Sequence, residues 1–358
     1  MLKVIHCADL HLDSPMETHM SQRQAEARNT EIIHSFLRLT EYAVENEVRI
    51  VLIAGDLFDG QRVKKRTVDE ILDAIRRTPM VDYLYLAGNH DESSYAFADQ
   101  KLPENLKFFG REWKSYEYEE AVFSGIEICE ENAESLYHTI PYEAGEKNIV
   151  ILHGQVGSTS GPDQINLNLL KNKGIDYLAL GHIHSYSAQA LDNKGIYCYS
   201  GCLEGRGFDE CGEKGFVLLT IEDNYLQHEF IPFSSRQLHR IAVDISGLTK
   251  NSEIAQKMKM LTRQIPPEDM VEFLLRGEVD PEANIALSYL QDLFVKEYFF
   301  VKIKDETRMA IHPEDYKNDI SLKGEFIRLV LASDAEEKEK ATMIRTGLQA
   351  LLGEEITL

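Results

Sequence analysis

The fold is decided by residues 50–59, which read IVLIAGDLFD. The first five of these residues are apolar, which is typical of a strand buried on both faces of a sheet. The apolar run stops at Gly55-Asp56, so an acidic side chain stands where the strand ends. Loops from distant parts of a chain converge at strand ends when helices cover the sheet. The stretch therefore predicts an α/β fold with a polar site at one edge of a sheet.

Four other polar clusters repeat this arrangement in the first half of the chain. Each of the five follows a short apolar run, at residues 4–5, 50–54, 83–87, 149–152 and 177–180. The clusters are Asp9-x-His11, Gly55-Asp56, Gly88-Asn89-His90-Asp91, His153-Gly154 and Gly181-His182-Ile183-His184. We expect them to meet at one edge of the fold, since each stands at a predicted strand end. Their order indicates the two-metal site of a phosphoesterase.

The pattern of strands and helices also predicts how the chain divides. Apolar side chains recur at helical spacing over residues 33–43 and 68–75, which gives strand–helix–strand units. After His184 we expect short strands at 195–200, 215–221 and 226–231 to form hairpins that close a second sheet. A new unit follows, with strands 241–245, 271–275 and 299–303, helices 254–265 and 285–293, and later helical stretches 322–331 and 336–352. We predict a catalytic domain over 1–238, a small α/β domain over 239–305, and a C-terminal helical segment over 306–358 that packs on the small domain or binds a partner.

Composition limits the class of protein. With 358 residues, of which 43% are hydrophobic, the chain is long enough for one large and one smaller domain. It contains no run of about 18 apolar residues and opens with a strand pattern, so we expect a cytoplasmic protein that does not bind a membrane. Its five cysteines are odd in number and lack paired CxxC spacing, which argues against a disulfide framework and a zinc ribbon.

The net charge of −22 disfavours a nucleic-acid partner, because binding along a phosphate backbone normally uses Lys and Arg. Two divalent cations would offset part of this charge, and an acidic protein can still carry a local basic stripe. One basic cluster, residues 62–66, follows the second motif. It fits either a solvated helix start or a contact to phosphate.

The residue types of the five clusters suit two metal ions. Carboxylate, imidazole and amide oxygen together favour a divalent ion of intermediate hardness, with manganese the first choice and iron(II) or zinc as alternatives. Asp9 and His11 stand two apart on a predicted extended segment, so they should point to one side and hold one ion. Asp56 has two oxygens with which to bridge both ions. The remaining ligands are Asn89, His153, His182 and His184. Paired ions about 3.5 to 4 Å apart assist displacement at phosphorus without a catalytic Ser or Cys.

These motifs resemble those of the calcineurin-like metallophosphoesterase superfamily, which read DxH, GDxxD, GNHD/E, H and GHxH. The resemblance implies an αββα sandwich, in which helices flank two packed mixed sheets. It also implies that Asp9, His11, Asp56 and His184 hold one ion, and that Asp56, Asn89, His153 and His182 hold the other. His90 would then face the scissile phosphate, with Asp91 as its orienting partner. Asp59 and Asp13 either orient ligands or cap turns.

Flanking segments are similar to those of the DNA-repair exonuclease branch, the SbcD and Mre nuclease subunits. These segments are Leu12-Asp13-Ser14-Pro15, the stretch 199–204, Phe208-Asp209-Glu210 and Lys214-Gly215-Phe216. The resemblance covers residues 1–235, and the unit after Arg240 looks like the branch's capping domain. It implies a DNA exonuclease or endonuclease with an SMC-like ATPase partner, and we keep a homodimer open. The alternatives are a hydrolase of small phosphoesters and a regulatory subunit of an ATPase complex.

Overall fold

The computed structural model describes residues 1–16, 20–60, 63–91, 97, 100–119, 121–222, 225–280, 283, 285–309 and 318–352. The chain separates into two compact units, Met1–Gln237 and Leu238–Leu358. In the described part, no helix is both long and apolar enough to cross a membrane.

The first unit is built on two six-stranded sheets. The strands of the first sheet are β1 (Leu2–Cys7), β2 (Ile50–Ala54), β3 (Asp82–Leu86), β4 (Leu106–Phe108), β13 (Gly215–Glu222) and β14 (Tyr225–Pro232), in the order β14-β13-β1-β2-β3-β4. Those of the second are β5 (Lys114–Tyr118), β6 (Ala121–Gly125), β7 (Lys147–His153), β10 (Tyr177–Gly181), β11 (Ser187–Ala190) and β12 (Ile196–Tyr199), in the order β11-β12-β10-β7-β6-β5. Two short strands, β8 (Gln155–Gly157) and β9 (Gln164–Asn166), pair with each other. Both six-stranded sheets are mixed, as the fold class requires.

Helices and apolar layers position the sheets. Helices α1 (Gln22–Glu45) and α2 (Lys65–Arg77) pack on the outer face of the first sheet, where Phe36 and Ile71 are fully buried. A second apolar cluster, which includes Leu52 and Ile151, lies between the sheets. A third covers the outer face of the second sheet, beneath the short helix α3 (Leu167–Leu170). The predicted sandwich of two helix-flanked sheets is confirmed.

The position of two strands differs from the expectation. Strands β13 and β14 do not close the second sheet. They extend the first, where β13 runs antiparallel to β1. The reason is that β1 offers its open edge on the side opposite β2, and the apolar side chains of Val217, Leu219 and Ile221 complete the layer between the sheets.

The second unit begins with alternating strands and helices. Strands β15 (Leu238–Asp244), β16 (Met270–Arg276) and β18 (Phe300–Asp305) form a parallel sheet in that order, connected through α4 (Asn251–Leu261) and α5 (Leu287–Phe294). The two-residue strands β17 (Glu278–Val279) and β19 (Arg308–Met309) pair beside it. Helices α6 (Leu322–Leu331) and α7 (Glu337–Leu352) follow, and Ile344 and Leu348 pack on Ile327. The division of this unit at residue 305 stays a prediction.

The basic cluster 62–66 is only partly described. Arg62 lies outside the described residues. The others stand at the start of α2, where Lys64 is the N-cap and the strongly exposed Arg66 pairs with Glu70 at 2.8 Å. This placement fits the helix-start interpretation.

Candidate metal centre

The first two motif loops are joined through their backbones. Beyond the end of β1, the N–H of Asp9 donates to the carbonyl of Gly55 at 3.0 Å, and that of His11 donates to the carbonyl of Asp56 at 2.9 Å. Asp9, His11 and Asp56 all have left-handed φ angles, of 52°, 45° and 53°. The predicted extended segment at Asp9 and His11 is therefore wrong. Such strained backbone at three neighbouring polar residues is characteristic of functional sites.

Despite this difference, the predicted ligands of the first ion come together. Ligand atoms of Asp9, His11 and His184 lie within 4.8 Å of one another. The Nε2 atoms of His11 and His184 are 3.2 Å apart, and His11 Nε2 is 3.6 Å from Asp56 Oδ2. Asp9 and His11 are each only 1% exposed. The ends of β1, β2 and β10 thus supply one group of donors, in which Asp9, His11 and Asp56 are buried and His184 is partly exposed.

The predicted ligands of the second ion lie beside this group. His153, at the end of β7, has its Nε2 atom 2.9 Å from Asn89 Oδ1 and 3.3 Å from Asp56 Oδ2. His182 Nδ1 lies 3.4 Å from the same Asn89 oxygen. Asp56 therefore contacts one histidine of each predicted ligand set. The seven predicted metal ligands converge in one place.

The charge state of this centre follows from burial and from pairing. Burial raises the pKa of Asp9. Burial also acts to raise the pKa of Asp56, but His153 and His11 outweigh it and hold that pKa at about 2. For His153 burial acts to lower the pKa, and Asp56 raises it to about 9. Two buried carboxylates in contact with imidazoles form a site that favours added positive charge.

His90 lies at the exposed side of the centre, and its side chain is 51% exposed. The carboxylate that faces its ring is that of Asp59, with Oδ1 3.2 Å from His90 Nδ1. Asp91, the predicted orienting partner, points into the protein instead. It accepts hydrogen bonds from the backbone N–H groups of Leu57, Phe58 and Gly88. Asp91 therefore joins two motif loops, and the role of His90 toward phosphate stays a prediction.

The two aspartates whose roles were open have different surroundings. Asp13 accepts hydrogen bonds from the Lys64 N–H at 2.7 Å and from Thr67 Oγ1 at 2.9 Å, so it caps the start of α2. Asp59 lies 3.5 Å from His11 Nδ1 as well as beside His90. The contact with His11, first among several, lowers the pKa of Asp59. Asp59 thus contacts a predicted metal ligand, His11, on the ring atom opposite its predicted donor.

Sequence reasoning gave no role to Glu210 or Arg206, although Phe208-Asp209-Glu210 carried the resemblance to the exonuclease branch. His184 Nδ1 donates to Glu210 Oε1 at 2.6 Å, and Arg206 Nη2 donates to the same oxygen at 3.1 Å. Burial acts to raise the pKa of Glu210, but His184 and Arg206 hold it at about 2. For His184 burial acts to lower the pKa, and Glu210 raises it overall. Glu210 is therefore ionised and paired.

The geometry fits divalent cations. The Nδ1 atoms of His11 and His184 both face carboxylates, so each neutral ring that keeps its proton on Nδ1 has a lone pair on Nε2. Two lone pairs 3.2 Å apart repel each other unless a cation shares them. The buried carboxylates of Asp9 and Asp56 add the negative charge that such a cation neutralises.

Close packing of the two sheets explains the glycine of the last motif. A Cβ atom at Gly181 would lie 2.0 Å from the carbonyl oxygen of Ala54 and 2.7 Å from Nδ1 of His153. The first of these atoms is backbone and cannot turn aside. Strands β2 and β10 therefore approach closely enough to share a site only because residue 181 lacks a side chain.

We predict that Gly181→Ala lowers the free energy of unfolding by about 3 kcal/mol, because overpacking forces the sheets apart. Urea denaturation followed by tryptophan fluorescence measures this. The control is Gly157→Ala in β8, where the added Cβ meets only Gln164 Oε1 at 3.5 Å. Equal stability of the two variants would show that the sheets accommodate the methyl group.

Comparison with known proteins agrees with this site. The family model described as calcineurin-like phosphoesterase matches residues 2–186, more than half of the chain. The chain is 27% identical over 279 residues to the uncharacterized metallophosphoesterase YhaO of Bacillus subtilis, covering 72% of this chain and 67% of that protein. It is 24% identical over 356 residues to the DNA double-strand break repair protein Mre11 of Archaeoglobus fulgidus, covering 86% and 77%.

A solved structure similar to the chain is that of purple acid phosphatase PPD1 from yellow lupin seeds, at 15% identity and a TM-score of 0.44, covering 64% of this chain and 51% of that one. The family match spans all five motifs in full and ends two residues after the fifth. The chain belongs to the calcineurin-like phosphoesterase family, whose members are hydrolases with a dinuclear metal site.

Proposed function

We propose that this protein is a manganese-dependent nuclease that hydrolyses phosphodiester bonds of DNA. The observation that carries the proposal is the extent of the likeness to the protein named Mre11, which covers 86% of the chain. The first unit contains only 237 of the 358 residues, so this likeness includes part of the second unit. The proposal therefore draws on more than the metal ligands, which phosphatases of the family also need.

Each side chain of the centre has a task in this reaction. Asp9, His11, Asp56 and His184 would hold one ion, and Asp56, Asn89, His153 and His182 the other. The ions would activate water and stabilise charge on the phosphate. The exposed ring of His90 would contact the phosphate and protonate the leaving oxygen. Asp59 holds that ring from the opposite side, at Nδ1.

Manganese is proposed because the donors are mixed. The seven ligands are two carboxylates, one amide oxygen and four imidazoles, which suit an ion between magnesium and zinc in hardness.

A cationic cluster on the second unit supports contact with a phosphate backbone. Glu272, on β16, is 0% exposed and pairs with Arg240 Nε at 2.6 Å and with Lys304 Nζ at 2.9 Å. Lys302 Nζ lies 3.9 Å from the same carboxylate. The three cations stand on β15 and β18 around one anion, so this part of the sheet is positive although the chain is acidic.

We extend the proposal to a partner, an SMC-like ATPase bound through the C-terminal helices. Leu329 on α6 and Met343 on α7 are 65% and 47% exposed, although both helices bury other apolar residues. Amphipathic helices with such exposed residues suit a helical partner. A homodimer remains part of the proposal, and analytical ultracentrifugation tests it.

The substrate is tested with purified protein and manganese. Single-stranded and double-stranded DNA should be degraded faster than a nitrophenyl phosphodiester or phosphomonoester. The net charge of −22 favours the competing candidate, a hydrolase of small phosphoesters. If small esters are turned over while DNA stays intact at every salt concentration, the nuclease proposal is wrong.

We predict that His90→Ala lowers turnover of DNA by about 10²- to 10⁴-fold, the usual contribution of a general acid. The variant should still bind two manganese ions per chain, because His90 is not one of the seven proposed ligands. Metal content is measured by elemental analysis after gel filtration. His138→Ala, at an exposed histidine of the first unit, is the matched control. Activity lost with unchanged metal content would argue against a regulatory subunit, whereas unchanged activity would contradict the proposed role of His90.

A further inference from the structure

We infer that Glu210, Arg206 and Asp59 form an outer ionic chain that positions one of the two metal ions and leaves the other to the backbone. Arg206 is the middle member of this ionic chain. Its Nη2 atom lies 3.1 Å from Glu210 Oε1, and its Nη1 atom lies 3.6 Å from Asp59 Oδ2. The inference rests on the dinuclear centre of the family, and it does not depend on DNA as the substrate.

The ionic chain contacts three histidine rings of the centre. Glu210 accepts from His184 Nδ1, and Asp59 Oδ1 lies beside the Nδ1 atoms of His11 and His90 at 3.5 and 3.2 Å. All three rings are thus contacted at Nδ1. At His184 the hydrogen bond to Glu210 holds the proton on Nδ1 and directs the Nε2 lone pair toward the metal, while Asp59 faces His11 and His90 as a nearby negative charge.

In the described part of the chain, the histidines proposed to bind the other ion have no carboxylate at Nδ1. His153 Nδ1 faces the backbone carbonyl of Ala54 at 2.9 Å, which is a neutral acceptor. His182 turns Nδ1 toward Asn89, while its backbone N–H donates to Asp9 Oδ1 at 2.8 Å. A hydrogen bond to an ionised side chain therefore orients His184, and the charge of Asp59 lies beside His11, whereas the backbone of β2 orients His153. Loss of a carboxylate of the ionic chain should affect only the ion bound by His11 and His184.

Backbone hydrogen bonds hold Glu210 in place. The N–H of Arg206 donates to Glu210 Oε2 at 2.7 Å, and that of Glu210 donates to the carbonyl of Gly207 at 2.9 Å. Lys214 is 2% exposed, and its Nζ donates to the carbonyl oxygen of His184 at 2.7 Å. The segment after β12 therefore holds both the ring and the backbone of His184. Glu210 is a positioning residue, since it acts through His184.

The experiment titrates metal-free protein with manganese. Calorimetry gives the affinity of each ion, and electron paramagnetic resonance gives the signal of the coupled ion pair. We expect two ions in the wild type. In Glu210→Ala one ion should bind about 10- to 100-fold more weakly, with loss of the coupled signal at limiting manganese, and the other should be unchanged. Glu210→Gln should lie between, because its amide oxygen still accepts from His184 Nδ1.

The matched control is Asp209→Asn, which removes one charge at the exposed neighbouring residue and should leave both affinities unchanged. Circular dichroism establishes that each variant is folded. If Glu210→Ala does not fold, Glu210→Gln provides the test, because it too should weaken the binding of one ion and leave the other unchanged.

Three outcomes would overturn the inference. Both ions could weaken equally in a folded variant, or neither could weaken. The third outcome is that the wild type binds three manganese ions and Asp59→Asn binds two. The group of His11, Asp59 and His90 would then be a separate metal site. A failed DNA assay with the unequal loss intact would count only against the proposed nuclease activity.

Discussion

Asp56→Asn is expected to reduce phosphoesterase activity at least about 10⁵-fold, because enzymes of this kind owe accelerations of 10⁶-fold or more to their catalytic centre. Asp56 Oδ2 lies 3.6 Å from His11 Nε2 and 3.3 Å from His153 Nε2, so it touches one histidine of each ligand set. In Asn an uncharged NH₂ group would replace Oδ2, the atom that faces both histidines, so the position between the two ligand sets would lose its negative charge. Both ions should therefore be lost, and not only one.

The substitution should leave the fold intact. Asp56 Oδ1 accepts from the N–H of His90 at 2.9 Å, and the amide oxygen of Asn can keep this hydrogen bond. Manganese content by elemental analysis and turnover of a small diester are measured together. Asp73→Asn, at an exposed residue of α2, is the control. A folded Asp56→Asn protein that keeps two ions would contradict the bridging role.

The sequence alone was sufficient to predict that the seven candidate ligands converge, because the signal for each of them is a local pattern of residues. Apolar runs before Asp56, His153 and His182 predict buried strands, and parallel strands bring their ends to one edge. The partner of β13 was not predictable in this way. Its nearly continuous apolar run fits either sheet, and the choice depends on which edge is open. The left-handed backbone at Asp9 and His11 leaves no periodic signal either.

Which carboxylate faces which imidazole is likewise a long-range property. Asp91 follows His90 directly, yet Asp59, thirty-one positions earlier, is the residue that faces its ring. The contact of Glu210 with His184 spans 26 positions. Such pairs are set by how loops fold back on the sheets. The only sequence signal for Glu210 was its place in a segment shared with the exonuclease branch.

The segment that carries Glu210 is anchored by a buried ion pair at Glu204. Arg28, on α1, is 0% exposed, and its Nη2 atom donates to Glu204 Oε2 at 2.7 Å. Glu204 Oε1 accepts from Ser35 Oγ and from the N–H of Ser235, each at 2.6 Å. One carboxylate thus joins α1, the 200–214 segment and the end of the first unit.

Glu204→Ala is expected to lower the free energy of unfolding by about 3 kcal/mol, toward the lower end of the range for breaking a buried pair. The cost is at the lower end because Arg28 keeps Glu31, whose Oε2 lies 2.9 Å from Nη1. The remaining loss has two sources: the Arg28 guanidinium loses one of its two anionic partners while Nη2 keeps only the neutral carbonyl of Gly205, and the N–H of Ser235 loses its acceptor. Urea denaturation followed by tryptophan fluorescence is suited to this test, since the single Trp, Trp113, lies in the first unit.

Two variants separate the buried charge from a general effect of losing a Glu. Glu70→Ala removes an ion pair whose Arg66 side chain is 88% exposed, and it should change stability by less than about 1 kcal/mol. Arg28→Met combined with Glu204→Leu should recover part of the loss, because apolar replacement of both partners leaves no unpaired charge. If the double variant is less stable than Glu204→Ala, the loss comes from the contacts of α1 and not from an uncompensated charge. In that case packing holds the 200–214 segment in position. The contact between Glu210 and His184 would then not depend on Glu204.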